Sequence, residues 1–117
     1  MTPAPIKQTA AFEDFQKLDL RVGTIVSVDD VPGSHKLVAL TVDFGDRTRT
    51  ILAGMKQERD DPREIEGQQA LFIVNLAPRK MAGMMSEGML VDAGYEDGIT
   101  PVLLGPEKPI PDGTRAG

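Results

Sequence analysis

The chain has no cysteine, no tryptophan, one histidine, one tyrosine and four phenylalanines among its 117 residues. Without cysteine there are no disulfides, thiolate metal sites or cysteine nucleophiles. A single histidine, His35, leaves little from which to build a metal centre, so neither metal nor cofactor is expected. No serine–histidine–acid order and no plausible pair of catalytic carboxylates stands out, which points to a binding module rather than an enzyme. No apolar run approaches the ~20 residues of a membrane helix. The start, MTPAPIKQTA, lacks the basic residues and apolar core of a secretory signal. The expectation is a cytoplasmic protein with no membrane insertion. Basic charge is also in short supply: 13 Lys and Arg face 18 Asp and Glu, a formal charge of -5. Net charge alone argues against a nucleic-acid partner.

The hydrophobic fraction of 40% and charged fraction of 26% are values of an ordinary globular domain. Residues 1–10, with Pro3 and Pro5 and little periodicity, read as a flexible arm, leaving 11–117 as one domain with a C-terminal extension. Phe12 and Phe15 share one face of a short helical segment within 11–18. Val22, Thr24, Val26 and Val28 then alternate through a β-branched stretch, the first strand. A second strand is expected at 37–44 (LVALTVDF) and a third at 48–53 (TRTILA). Asp61-Pro62-Arg63-Glu64 supplies an N-cap and a proline at the first helical position, and Gly67 can stop the helix, so one or two turns are expected at 61–66. A fourth strand is expected at 69–75, a glycine- and methionine-rich connection at 76–88, and a fifth strand at 89–93. Five strands with a short helix between the third and fourth are the pattern of the all-β OB barrel.

In that barrel, ligands lie on strands two and three beside the loops joining strands 1–2 and 4–5. Those loops fall here at 31–36 and 76–88. No acid occurs between Val31 and Val42, where His35 and Lys36 lie, or between Gly67 and Ser86, where Arg79 and Lys80 are adjacent. Both loops are locally positive in an acidic chain, a bias that attracts a phosphate backbone. Neither carries an aromatic, which favours backbone and shape recognition of a folded RNA over stacking of single bases. Met81, Met84, Met85 and Met89 follow helical spacing, but Gly83 and Gly88 oppose a helix. Core packing is the plain expectation for at least some of them, Met89 among them. A peptide-binding surface is the other use of thioethers near a groove.

FQKLDLRVGTI (15–25), GSHKLVALTVDFG (33–45) and NLAPRKMAGMMSEGML (75–90) together resemble the tRNA-binding domain family of OB-fold proteins. That family includes C-terminal domains of methionyl-tRNA synthetases, standalone tRNA-binding proteins and CsaA-like export chaperones. The resemblance implies recognition of tRNA by shape and backbone, by a standalone accessory module that assists an aminoacyl-tRNA synthetase in trans. The alternative it implies is a chaperone holding unfolded export substrates in an apolar cleft. It also implies a homodimer. Carried over by motif, Lys36, Asn75, Arg79, Lys80 and Ser86 are the expected RNA contacts, with Arg49 on the third strand as a further candidate. Asp19 and Arg21 are expected to pair locally. His35 stands where the family has aspartate, adding a positive charge once protonated. Ala53 stands where many members have serine, removing a hydroxyl.

Overall fold

The computed structural model describes residues 1–117. Residues 1–11 form no helix or strand and are exposed throughout. A five-residue helix, α1 (Phe12–Gln16), precedes the long strand β1 (Leu20–Asp30), followed by β2 (Val38–Asp43) and β3 (Thr48–Ala53). A short 3₁₀ helix at Pro62–Ile65 leads to β4 (Gln69–Ile73), and two three-residue strands, β5 (Arg79–Met81) and β6 (Met84–Ser86), precede β7 (Met89–Ala93). Two-residue strands at Val102–Leu103 (β8) and Arg115–Ala116 (β9) finish the chain. The main sheet runs β3-β2-β1-β4-β7-β8, all antiparallel, with β9 added beside β1.

The curl comes from β1. Its first half pairs with β4 and its second half with β2, and the register slips between Ile25 and Ser27. The residue between them, Val26, is half exposed, as the extra residue of a β-bulge is when a strand bends out of its plane. One continuous strand thereby serves both halves of the barrel. Ile25, Leu40, Ile51, Ile65 and Phe72 are fully buried inside it. Phe44 meets Phe72 edge to face, ring centroids 5.5 Å apart, the arrangement that aromatic quadrupoles favour. Gly23 has no side chain for a steric reason: a Cβ there would sit 2.6 Å from Val42 and 2.8 Å from Phe44.

The helix expected at 61–66 is present, but as a four-residue 3₁₀ turn. The Asp61 carboxylate accepts from Arg63 N, Pro62 takes the first position, and Gly67 at φ 87° ends it at once. It plugs the barrel with Ile65, and its side chains also serve β1: Glu66 accepts from Val28 N (2.8 Å) and Arg63 Nε donates to Val28 O (3.2 Å). The connection expected at 76–88 is more ordered than its composition suggested. β5 and β6 form a hairpin whose two turn residues, Ala82 (φ 48°) and Gly83 (φ 83°), both have positive φ, as a type I′ turn requires. Met81 and Met84 fasten it to a second, smaller core of Val31, Ala39 and Leu52 on the outside of the sheet. The fold is all-β and OB-like.

Candidate nucleic-acid interface

Closure between β3 and the segment entering β7 depends on side chains as much as on backbone. Glu87 N donates to Thr50 O (2.9 Å), the backbone part of the seam. Beside it the Ser86 hydroxyl accepts from Leu52 N (3.0 Å) and donates to Gly88 O (3.1 Å), and Ser86 is only 4% exposed. Arg49 reaches across the barrel end, donating from Nη1 to Val74 O (2.7 Å) and Glu87 O (3.2 Å). Gly88 completes the seam at φ 156°, where a Cβ would lie 2.9 Å from Ile73 O and 3.1 Å from Ile51. Asn75 is committed in the same way: its Oδ1 accepts from Asp19 N (2.8 Å) and its Nδ2 donates to Lys17 O (2.7 Å), clasping the end of α1 to the end of β4. Of the six expected contacts, five by motif and Arg49 by its strand, Ser86, Arg49 and Asn75 therefore have structural partners for their polar groups. Ser86 in particular is too enclosed for direct contact with an RNA.

The other three are free. Lys36, Arg79 and Lys80 are exposed and enter no ion pair, whereas Lys17, Arg21, Arg47, Lys56 and Arg59 each hold a carboxylate. Lys36 is presented by a braced loop. The Ser34 hydroxyl accepts from Lys36 N and Leu37 N, and Lys56 N donates to Lys36 O (3.1 Å). Arg79 and Lys80 ride on the hairpin. Arg79 is paired across it with Ser86, and Lys80 with Met85. Cross-strand partners share a face, so Arg79 lies on the barrel side of the ribbon and Lys80 on its solvent side with the exposed Met85. The two adjacent cations thus project from opposite faces of one ribbon.

Two clefts flank β3. A groove of about 880 Å³ lies between the β1–β2 loop, the end of β3 and the hairpin tip, with Lys36, His35, Met89, Leu90, Asp92 and Tyr95 among its walls. Arg49 and Asn75 line a different cleft of about 300 Å³, with Asp19, Arg21 and Arg47. The positions of Arg49 and Ala53 put the two roughly 13 Å apart along the strand. In the smaller cleft Arg21 grips Asp19 with two bonds of 2.9 and 3.0 Å, the expected local pair. Hydrogen bonding from Arg21 outweighs desolvation and holds the Asp19 carboxyl below its ordinary value. In the groove, burial chiefly, with the charge of Asp92, pushes the Glu58 carboxyl up.

Four groove residues differ from the sequence expectation of acid-free, aromatic-free loops and a core Met89. Met89, expected in the core, is 45% exposed and lines the groove, because only one face of β7 reaches the barrel interior. Tyr95, which follows β7 in the chain, folds back to the groove wall and is 77% exposed, so the groove does carry one aromatic. Glu58 and Asp92 belong to acidic stretches outside both binding loops, yet both line the groove. The flanking Gly94 and Gly98 were the one signal for a tight turn presenting Tyr95.

An OB-like barrel with a groove between these loops and the unpaired Lys36 on its rim has the architecture of a nucleic-acid-binding module. Residues 20–115 match the model of the tRNA binding domain family, and the chain belongs to that family. It is 45% identical over 112 residues to a methionine–tRNA ligase of Nitrosomonas europaea, covering 96% of this chain and 16% of the relative. A methionine–tRNA ligase of Bacteroides fragilis is 43% identical over 111 residues. The chain thus spans 16% of the length of these curated relatives. Among solved structures, a MetRS-related protein of Pyrococcus horikoshii superposes with a TM-score of 0.86 at 33% identity, covering 95% of this chain and 100% of that one. The chaperone CsaA of Bacillus anthracis superposes at 0.81 and 34% identity, covering 94% and 100%. The chain is a tRNA-binding domain related to the methionyl-tRNA synthetase C-terminal region. No helix is long and apolar enough to cross a membrane.

Proposed function

We propose that the domain holds folded tRNA through its phosphates, with Lys36, Arg79 and Lys80 as the contacting cations and Arg49, Asn75 and Ser86 as the groups that position them. The observation that carries this reading is the presence of unpaired cations on the two segments that border the groove, the β1–β2 loop and the β5–β6 hairpin. Lys36, Arg79 and Lys80 have no intramolecular carboxylate partner; Lys36 lines the groove, and Arg79 and Lys80 ride on the hairpin whose Ala82 tip borders it. Binding neutralises phosphates and releases their counterions, so affinity for unfractionated tRNA falls steeply with salt. An Arg79→Ala/Lys80→Ala double variant lowers both the affinity and the salt slope. A salt slope unchanged by the double variant would remove these residues from the interface. In this reading the domain has no catalytic role of its own. It acts in the cytoplasm as an accessory to an aminoacyl-tRNA synthetase, and as a homodimer.

A second reading, a chaperone for unfolded export substrates, draws support from the groove's apolar wall of Leu52, Met55, Met89 and Leu90 and from the CsaA neighbour. It predicts salt-tolerant binding of a fluorescent unfolded peptide that Met89→Ser weakens. The same salt titration separates the two readings.

A further inference from the structure

The groove contains groups that phosphate recognition alone does not explain. A polyanion gains nothing from Glu58 and Asp92, yet both line the groove that has Lys36 on its rim. Phosphate binding could use only the hydroxyl of an exposed tyrosine and leaves its ring face without a role, yet the chain's only tyrosine is carried to the groove by a built loop. Gly94 O accepts from Asp97 N and Ile99 N (both 3.0 Å), and Gly98 N donates to Tyr95 O (3.2 Å). Gly94 takes φ 123°, where a Cβ would lie 3.0 Å from Ile99 O. The turn therefore fixes the Tyr95 backbone at the groove wall while leaving the side chain uncovered.

A nucleotide has three chemically distinct parts: an aromatic face, a polar base edge and a phosphate. We infer that this groove takes one unpaired nucleotide of the bound RNA. Its base stacks on Tyr95 with Met89 beneath, its exocyclic amino group donates to the Asp92 and Glu58 carboxylates, and its phosphate faces Lys36. Aromatic stacking supplies sequence-tolerant affinity. Carboxylates are the acceptors suited to the amino group of cytosine, and the other amino-bearing bases offer the same donor. Uracil carries a carbonyl there, which faces the carboxylates with like polarity. The acids thus select among bases while the cations outside the groove hold the backbone. This inference rests on the tRNA reading and adds a base-discriminating position to it.

The chain has no tryptophan, so its intrinsic emission reports on Tyr95 alone. The experiment titrates the whole chain with tetracytidylate and tetrauridylate, following that emission with absorbance correction, and measures affinity for unfractionated tRNA in parallel. The expected result is saturable quenching by tetracytidylate and affinity about fivefold above tetrauridylate. Both Tyr95 variants are followed by anisotropy of labelled oligonucleotide: Tyr95→Ala weakens tetracytidylate about tenfold, as loss of one stacked base does, while Tyr95→Phe retains it. Asp92→Ala erases the preference for cytidine over uridine. Circular dichroism checks that the variants fold, as the exposure of Tyr95 leads one to expect. Unmoved emission, or tetracytidylate affinity unchanged in Tyr95→Ala, overturns the inference, and so does quenching by an unfolded peptide but not by the oligonucleotides. Equal affinity for the two oligonucleotides overturns the role given to the carboxylates. If those results come with intact, salt-dependent tRNA binding, the base site alone fails. Absence of tRNA binding overturns the tRNA reading as well.

Discussion

Ser86 and Lys80 belong to one continuous motif and do opposite work. The serine hydroxyl is spent on Leu52 N and Gly88 O inside the barrel seam, and the lysine ammonium points into solvent without a partner. Ser86→Ala strands a buried N–H, so urea denaturation should show a loss of about 1–3 kcal/mol, with the salt slope of tRNA binding unchanged because no phosphate contact is removed. Lys80→Ala should do the reverse, leaving the urea midpoint in place and lowering the salt slope of tRNA binding by about one. Titration separates two carboxyls in the same manner. Asp19, held low by Arg21, contributes stability that is present above its unfolded value of 3.8 and lost as pH falls through the lower folded value. The stability gap between the parent and Asp19→Asn should therefore close on acidification. Glu58, held high, contributes stability that is present below its unfolded value of 4.5 and lost as pH rises through the folded value. Glu58→Gln should therefore be the more stable protein at neutral pH, with its advantage fading towards acid. Thermal melts across pH 3–8 check both directions.

At the scale of elements, the β5–β6 hairpin decides where two of the free cations go, and it was the element least visible in the sequence. The long alternating strands, the Asp61-Pro62 start of the 3₁₀ turn and the Asp19–Arg21 pair were legible because their signals are local: period-two burial, a cap, two charges two residues apart. The hairpin's strands are three residues each, and their alternation is hidden because methionine occupies both faces, Met81 and Met84 inward and Met85 outward. Its turn is Ala-Gly rather than Asn-Gly, so the usual hairpin signal was missing. The roles of Arg49 and Asn75 were illegible for a different reason: their partners lie 25 to 58 residues away, and no spacing rule reaches that far. Ala82 sits at φ 48°, a region that costs an ordinary side chain about 1 kcal/mol and asparagine less. Ala82→Asn should raise stability by roughly 0.5 kcal/mol and leave tRNA binding intact, read from a thermal melt beside a filter-binding curve. A loss of stability would show that the hairpin turn is not of this type.

Across the whole molecule, the apolar surface that the barrel leaves uncovered calls for a partner. Phe12 and Phe15 stack on α1 with centroids 6.3 Å apart, yet they are 68% and 46% exposed, and Leu18 beside them is 40% exposed. A five-residue helix is too short to persist alone. This one is kept in place by the Asn75 clasp and by Phe15 lying against Gly117, so the fold spends hydrogen bonds to hold two aromatic rings out in water. A second copy docking on this face would cover the rings, and a stable interface needs roughly 800 Å² from each partner. Sedimentation at micromolar concentration should find twice the 12.6 kDa chain mass, and Phe12→Asp/Phe15→Asp should return it to 12.6 kDa with the barrel intact. Pairing would also set two copies of Lys36, Arg79 and Lys80 against one large RNA. The monomeric variant should then bind tRNA with about half the salt slope of the parent, because it neutralises half as many phosphates. Only the 12.6 kDa species in the parent protein would sink the dimer, and it would leave tRNA binding to a single set of cations.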